Sequence, residues 1–260
     1  PKEGEAAPLP GLLLTLHGAS VEARSQAAAY GSKPWCHIVA PTNRRMFGFD
    51  WEDWGRLDAM EVLAAAQRTL PFDPLRVWLT GHSMGGHGTW ILGATFPDRF
   101  AALAPSAGWI SFASYGGGTA RPENPTPMQE LLLRCTNPSD TLALSHNYSQ
   151  HGIYILHGDA DDNVPIAQAR TMRQNLAGYH DNFAYFEKKG AGHWWGNECV
   201  DWPPLMEFLQ HQRRVAPAEV NHVRFQTANP GVSASCDWVS IEAQSKMLAI
   251  SGVDVRRDRA

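Results

Sequence analysis

The chain is poor in cysteine, and its four residues, Cys36, Cys135, Cys199 and Cys236, lie far apart with no C-x-x-C pair. That spacing excludes a zinc ribbon, a thioredoxin-type redox site and a dense disulfide scaffold. Long apolar runs are also missing. The longest, such as Gly11–Leu16, are strand-sized and far short of the roughly 20 residues that cross a bilayer, so no membrane partner is expected. Basic excess is absent too: 22 Lys and Arg against 26 Asp and Glu leave a net charge of −4, which gives no electrostatic reason to expect nucleic acid. No H-E-x-x-H or paired-histidine motif points to a metal, and neither Gly86-His-Gly88 nor Gly116–Gly118 continues into G-x-G-x-x-G or a Walker lysine. No metal, nucleotide or other cofactor is therefore expected. The chain begins at Pro1 with no charged-then-apolar leader, so the natural N-terminus is expected upstream and the compartment stays open, extracellular or periplasmic included. Asn147-Tyr148-Ser149 fits a glycosylation sequon, which matters only in a eukaryotic secretory setting.

What is present is a chain of 260 residues, 43% hydrophobic and 18% charged, enough to bury a substantial core. Short apolar runs at Leu12–Leu16, Ile38–Ala40, Val77–Thr80, Ala101–Pro105, Ile153–His157 and Phe183–Glu187 read as strands. Helix-type segments fall around them, at about 20–30, 56–69, 85–95, 165–177 and 203–212. This alternation predicts an α/β fold with a mostly parallel, doubly wound sheet. In the second helix Leu57, Met60, Leu63 and Ala64 fall at helical spacing, and Pro71 ends it. Residues 108–150, rich in Gly and Pro, read as an insertion near a site. After about residue 215 the runs Val223–Phe225, Trp238–Ile241 and Met247–Ile250 alternate with hairpin punctuation. The expected division is a catalytic domain over 1–215 and a β-rich C-terminal extension over 216–260, part of a larger module.

Gly81-His-Ser-Met-Gly85 has the G-x-S-x-G form and stands between the strand Val77–Thr80 and a helical run. That is the setting of a nucleophile elbow, whose small neighbours let the backbone crowd around an exposed serine hydroxyl. A serine needs a base, and the base needs an orienting carboxylate. Of eleven histidines, His193 lies in the glycine-rich loop Gly190–His193 after a strand, whereas His82 and His87 on the elbow and His211 in a helix read as packing or surface residues. The loop His157-Gly-Asp-Ala-Asp-Asp162 follows another strand and offers Asp161, with Asp159 as competitor. Ser83, Asp161 and His193 stand in the Ser…Asp…His order. For the oxyanion, the backbone N–H of Met84 follows the nucleophile directly, and that of Ala19 sits in the loop after the first strand.

Together, Leu16-His-Gly18, Gly81–Gly85, His157–Asp162 with Val164-Pro165, and Gly192-His193 resemble the α/β-hydrolase superfamily. The likeness is closest to the prolyl oligopeptidase-like (S9), dienelactone hydrolase-like and feruloyl esterase or polyhydroxybutyrate depolymerase-like group, and it covers residues 11 to about 212. It implies Asp161 as the triad acid and a serine hydrolase. Two departures stand out: only ten residues precede Gly11, so the strands that usually come before the H-G strand are expected to be absent or to lie upstream, and no propeller is in the sequence. The late start leaves exposed sheet edges, a route to homo-oligomers.

Trp51, Trp109 and Trp194 fall near the expected mouth of the site, where they would hold an aryl group or a sugar. Arg44 would grip a substrate carboxylate, although a core role for the tryptophans and a solvated one for the arginine are the plainer readings. The favoured activity is cleavage of a small-molecule or polymer carboxylic ester of aryl, acyl-sugar or polyester type. A serine peptidase is second, and a non-catalytic binding module on the same fold is third.

Overall fold

In the computed structural model of the chain, which describes residues 8–117 and 122–258, the Gly11–Leu16 run forms β1 and is buried along its whole length. Residues 118–121 of the expected insertion, and the outermost residues of the two expected units, lie outside the described residues. β1 is joined by β2 (Cys36–Val39), β3 (Val77–His82), β4 (Ala102–Ser106), β5 (Gly152–Gly158) and β6 (Phe183–Lys188) in one sheet, ordered β2-β1-β3-β4-β5-β6. Every pairing in it is parallel.

Continuous apolar runs suit this position because helices cover both faces. Leu12, Leu14 and Leu16 face a core shared with Leu63, Trp90 and Met172. Leu13, between them, faces the opposite core with Trp78, Leu205 and Leu209. The helices are α1 (Ala23–Ala28), α2 (Asp53–Thr69), α3 (Met84–Thr95), the short α4 (Phe112–Tyr115), α5 (Pro127–Cys135), α6 (Ala167–Leu176) and α7 (Pro203–His211).

On α2 Leu63 is buried and Met60 packs against the core as expected, but Leu57 is 47% exposed and Asp58 is buried in its place. Asp58 turns inward because its carboxylate accepts the backbone N–H groups of Thr42 and Asn43 at 2.8 and 2.7 Å. These bonds pin the loop after β2 to the helix.

The C-terminal residues form β7 (His222–Thr227), β8 (Ser235–Cys236), β9 (Val239–Ser240) and β10 (Ser251–Arg256). β7 pairs antiparallel with β10, and β8 with β9. The expected strand at Met247–Ile250 is a bend instead. Leu248 takes a positive φ of 58°, and the Met247 and Leu248 carbonyls accept side-chain bonds from Arg134 and Asn137. The extension has a small core of Val220, Val223, Phe225 and Cys236. It is tied to the rest through Asn147, whose amide donates to the Gln226 carbonyl (2.8 Å) and accepts from its N–H (2.7 Å). Asn147 is fully buried, so the sequon is no carbohydrate acceptor in the folded chain.

Candidate active site

In a parallel sheet the carboxyl ends of the strands share one rim. The ends of β3, β5 and β6 carry Ser83, Asp161 and His193. Ser83 follows β3 with φ 60° and ψ −119°, a region costing about 1–3 kcal/mol for a non-glycine residue. The surroundings hold it there: its N–H donates to the Ser106 carbonyl at 2.9 Å, and its carbonyl accepts the His87 N–H at 3.0 Å. Glycine is required beside it, since a Cβ on Gly81 would strike the Gly85 carbonyl and one on Gly85 would strike the Leu16 carbonyl.

The strained turn aims Ser83 Oγ at His193 Nε2, 2.9 Å away. On the other side of the ring, Nδ1–H donates to Asp161 Oδ2 at 2.8 Å. Asp159, the competing carboxylate, instead accepts the Gly190 N–H at 2.6 Å and shapes the loop that carries His193. Asp161 Oδ1 accepts the N–H groups of Asn163 and Val164, both at 2.9 Å. Its Oδ2 lies 3.2 Å from His157 Nε2, which also donates to the Val164 carbonyl at 2.9 Å. Burial pushes the Asp161 carboxyl up, but bonds from His157, His193, Asn163 and Val164 outweigh it and hold it far below the usual carboxylate range.

His82 was not expected to touch this relay. Its buried ring lies 4.9 Å from that of His193 and 5.2 Å from Trp194, and Nδ1 shares a hydrogen bond with Ser106 Oγ at 3.2 Å. Burial pulls its pKa down to about 3, so it packs against His193 as a neutral ring. Met84 opens α3, where its N–H has no intrahelical acceptor, and Ala19 lies beside Ser83 at the edge of a cleft.

That cleft, of ≈ 660 Å³, runs from Ser83 between α1 and the loop carrying His193, Trp194 and Asn197. Trp194, 52% exposed, is on its wall. The other aromatic and basic candidates are elsewhere. Trp51 is 0% exposed: a positive φ of 61° turns its ring inward against Gly88, and its N–H donates to the His17 carbonyl at 3.0 Å. Trp109 is buried, stacked between His87 and Tyr115 at 4.9 and 4.4 Å. Arg44 is engaged by Glu61 at 2.6 Å, with Asp58 at 3.5 Å. The insertion meets the site through Tyr115, whose hydroxyl donates to Asn163 Oδ1 at 3.1 Å. Among the described residues, no group of His, Cys, Asp and Glu is placed to hold a metal, and no helix is long and apolar enough to cross a membrane.

Residues 42–211 match the prolyl oligopeptidase family of S9 peptidases. The chain belongs to that family. It has the α/β-hydrolase fold, with extra antiparallel strands at its C-terminus. Over 156 residues it is 28% identical to an uncharacterized secreted protein of Arthroderma benhamiae, covering 57% of this chain and 17% of that one. Over 193 residues it is 26% identical to poly(3-hydroxyalkanoate) depolymerase C of Paucimonas lemoignei, covering 65% and 45%. The chain thus spans less than half the length of either relative. An S-formylglutathione hydrolase of Staphylococcus aureus shares the fold with a TM-score of 0.56 at 15% identity, over 81% of this chain and 87% of that one.

His157, Asn163 and the α1 side of the cleft escaped the sequence reading. The first two lie within the motif that carries Asp161, which was the available signal.

Proposed function

We propose that this S9-family chain is a serine esterase. Ser83 Oγ attacks the ester carbonyl carbon as His193 Nε2 takes its proton, and Asp161 holds the imidazole in the required tautomer and offsets the charge of the imidazolium. The N–H groups of Met84 and Ala19 receive the oxyanion, each worth about 2.7–4 kcal/mol of barrier lowering. The carbon–oxygen bond to the alcohol then breaks, His193 returns the proton to the departing oxygen, and water releases the acyl group by the same steps in reverse.

The observation that carries this reading is the unbroken Ser83–His193–Asp161 relay opening on a cleft that, among the described residues, has no Asp, Glu, Lys or Arg in its lining. A peptide amine or carboxylate would meet no counter-charge there, whereas a neutral ester would need none. The relative named as a poly(3-hydroxyalkanoate) depolymerase supports the same direction, and the secreted relative supports an extracellular site of action. The family match favours one second reading, an S9-type peptidase. The comparison that decides is kcat/KM on p-nitrophenyl and feruloyl esters against dipeptidyl and prolyl amides. The esters are expected to win clearly, and preference for the amides would reverse the ordering.

A further inference from the structure

The leaving alcohol must sit where His193 can protonate it, on the His193 side of Ser83. The space there is the cleft between α1 and the 193–197 loop. Besides Ser83, His193 and the neutral His82 ring, its polar lining is made of amides and hydroxyls, namely Gln26, Asn163, Asn197, Ser20 and Ser25, with the exposed Trp194 ring as its large flat surface.

Gln26 is the unusual member. It occupies an inward position of α1 where an apolar side chain would pack, and it is only 4% exposed. Its amide nitrogen donates to Thr15 Oγ1 at 2.8 Å and reaches the Tyr30 hydroxyl at 3.5 Å. Thr15 and Tyr30 are themselves bonded at 2.6 Å. This network holds the amide nitrogen before any ligand arrives, and the carbonyl oxygen Oε1 accepts no hydrogen bond among the described residues. It is not sealed from solvent, and an acceptor already fixed in place costs a hydrogen-bonding ligand little ordering. Across the cleft the reverse holds for Asn163: its Oδ1 is taken by Tyr115, so the amide N–H groups are what it can offer. An acceptor on one wall and a donor on the other suit hydroxyl groups, which both give and accept. An aromatic face beside them suits the C–H face of a sugar ring.

Resting on the esterase reading, we propose that this cleft binds the sugar or polyol half of an acyl ester. Gln26 is its specificity-determining acceptor and Trp194 its platform. An alkyl alcohol or a hydroxyalkanoate chain leaves Gln26 Oε1 unmatched and is the poorer leaving group.

The test compares kcat/KM for one acyl group, feruloyl, on glucose and on ethanol, alongside a 3-hydroxybutyrate oligomer. Wild type is expected to prefer the glucose ester. In Gln26→Met the ratio of glucose to ethyl ester falls about tenfold, the worth of one well-placed hydrogen bond, and Trp194→Ala lowers it as well. Gln26→Glu keeps an acceptor oxygen that Thr15 and Tyr30 can still hold, and it retains most of the ratio. A wild-type ratio near one overturns the proposal, as does preference for the hydroxybutyrate oligomer. So does an equal loss on both feruloyl esters in Gln26→Met and Trp194→Ala, the mark of a purely structural role. Hydrolysis of no ester at all would instead end the esterase reading beneath it.

Discussion

Asp161 has to stay charged while its side chain is sealed from water, and it does so by accepting bonds from His157, His193 and two backbone N–H groups. Asp159, two residues earlier, is committed to Gly190. Asp161→Asn is therefore expected to cut kcat/KM by about 10⁴, the cost of losing the correct imidazole tautomer. Asp159→Asn should cost far less, and the two are separated by ester turnover at saturating and limiting substrate. His157→Phe removes one donor from Oδ2, so kcat should drop about tenfold with KM little changed. At this scale the sequence was most informative where chemistry dictates spacing. Ser83 is marked by its glycines, and His193 by its loop after a strand. The contribution of His157 depends on the fold of a loop back over a strand end, and the burial of Trp51 on a loop with several positive φ angles and on the bond from its indole N–H to the His17 carbonyl. Neither is encoded in local spacing.

The elbow is the element on which the site depends, and its demand for glycine is steric. A methyl group on Gly85 would press into the Leu16 carbonyl of β1, so the β1–β3 pairing and the serine turn cannot both keep their places. Gly85→Ala is expected to lower unfolding free energy by about 1–3 kcal/mol, as overpacking does, and to abolish turnover. Denaturant melts and ester assays on the same sample check both. β1, β3, β4 and β5, buried along their whole length, were readable because strands covered on both faces show as short apolar blocks. On α2 Leu57 departs from the expected face because two backbone N–H groups draw Asp58 inward. The run Met247–Ile250 has strand composition, but its carbonyls are claimed by Arg134 and Asn137 from a distant segment. In both cases a long-range hydrogen bond overrode the local pattern.

The molecule as a whole stores buried titratable groups whose signs can be summed. Burial pulls His82 down to about 3 and His151 down to about 4, while unfolded histidine titrates near 6.5. Their stability is thus complete above about pH 6.5 and is lost as pH falls, because the unfolded chain binds the protons. Asp50 opposes them: burial raises its carboxyl to about 7, so between about pH 4 and 6.5 the folded chain holds one proton that the unfolded chain releases. Near pH 5 two protons taken up on unfolding against one released leave a net of about one; His180, lowered by burial, adds to the first side and Asp237, raised by burial, to the second. From the first three groups unfolding free energy should fall by about 1.4 kcal/mol per pH unit on acidification near pH 5, and by less towards pH 6.5. Asp50→Asn should steepen that slope and His151→Gln flatten it, as read from denaturant melts between pH 4.5 and 6.5. The central claim, that the relay makes Ser83 a working nucleophile, has a more direct test in covalent labelling with a fluorophosphonate. Wild type should take up one probe per chain, carried on the peptide that contains Ser83, while Ser83→Ala takes up none. Wild-type labelling no greater than that of Ser83→Ala would contradict the account.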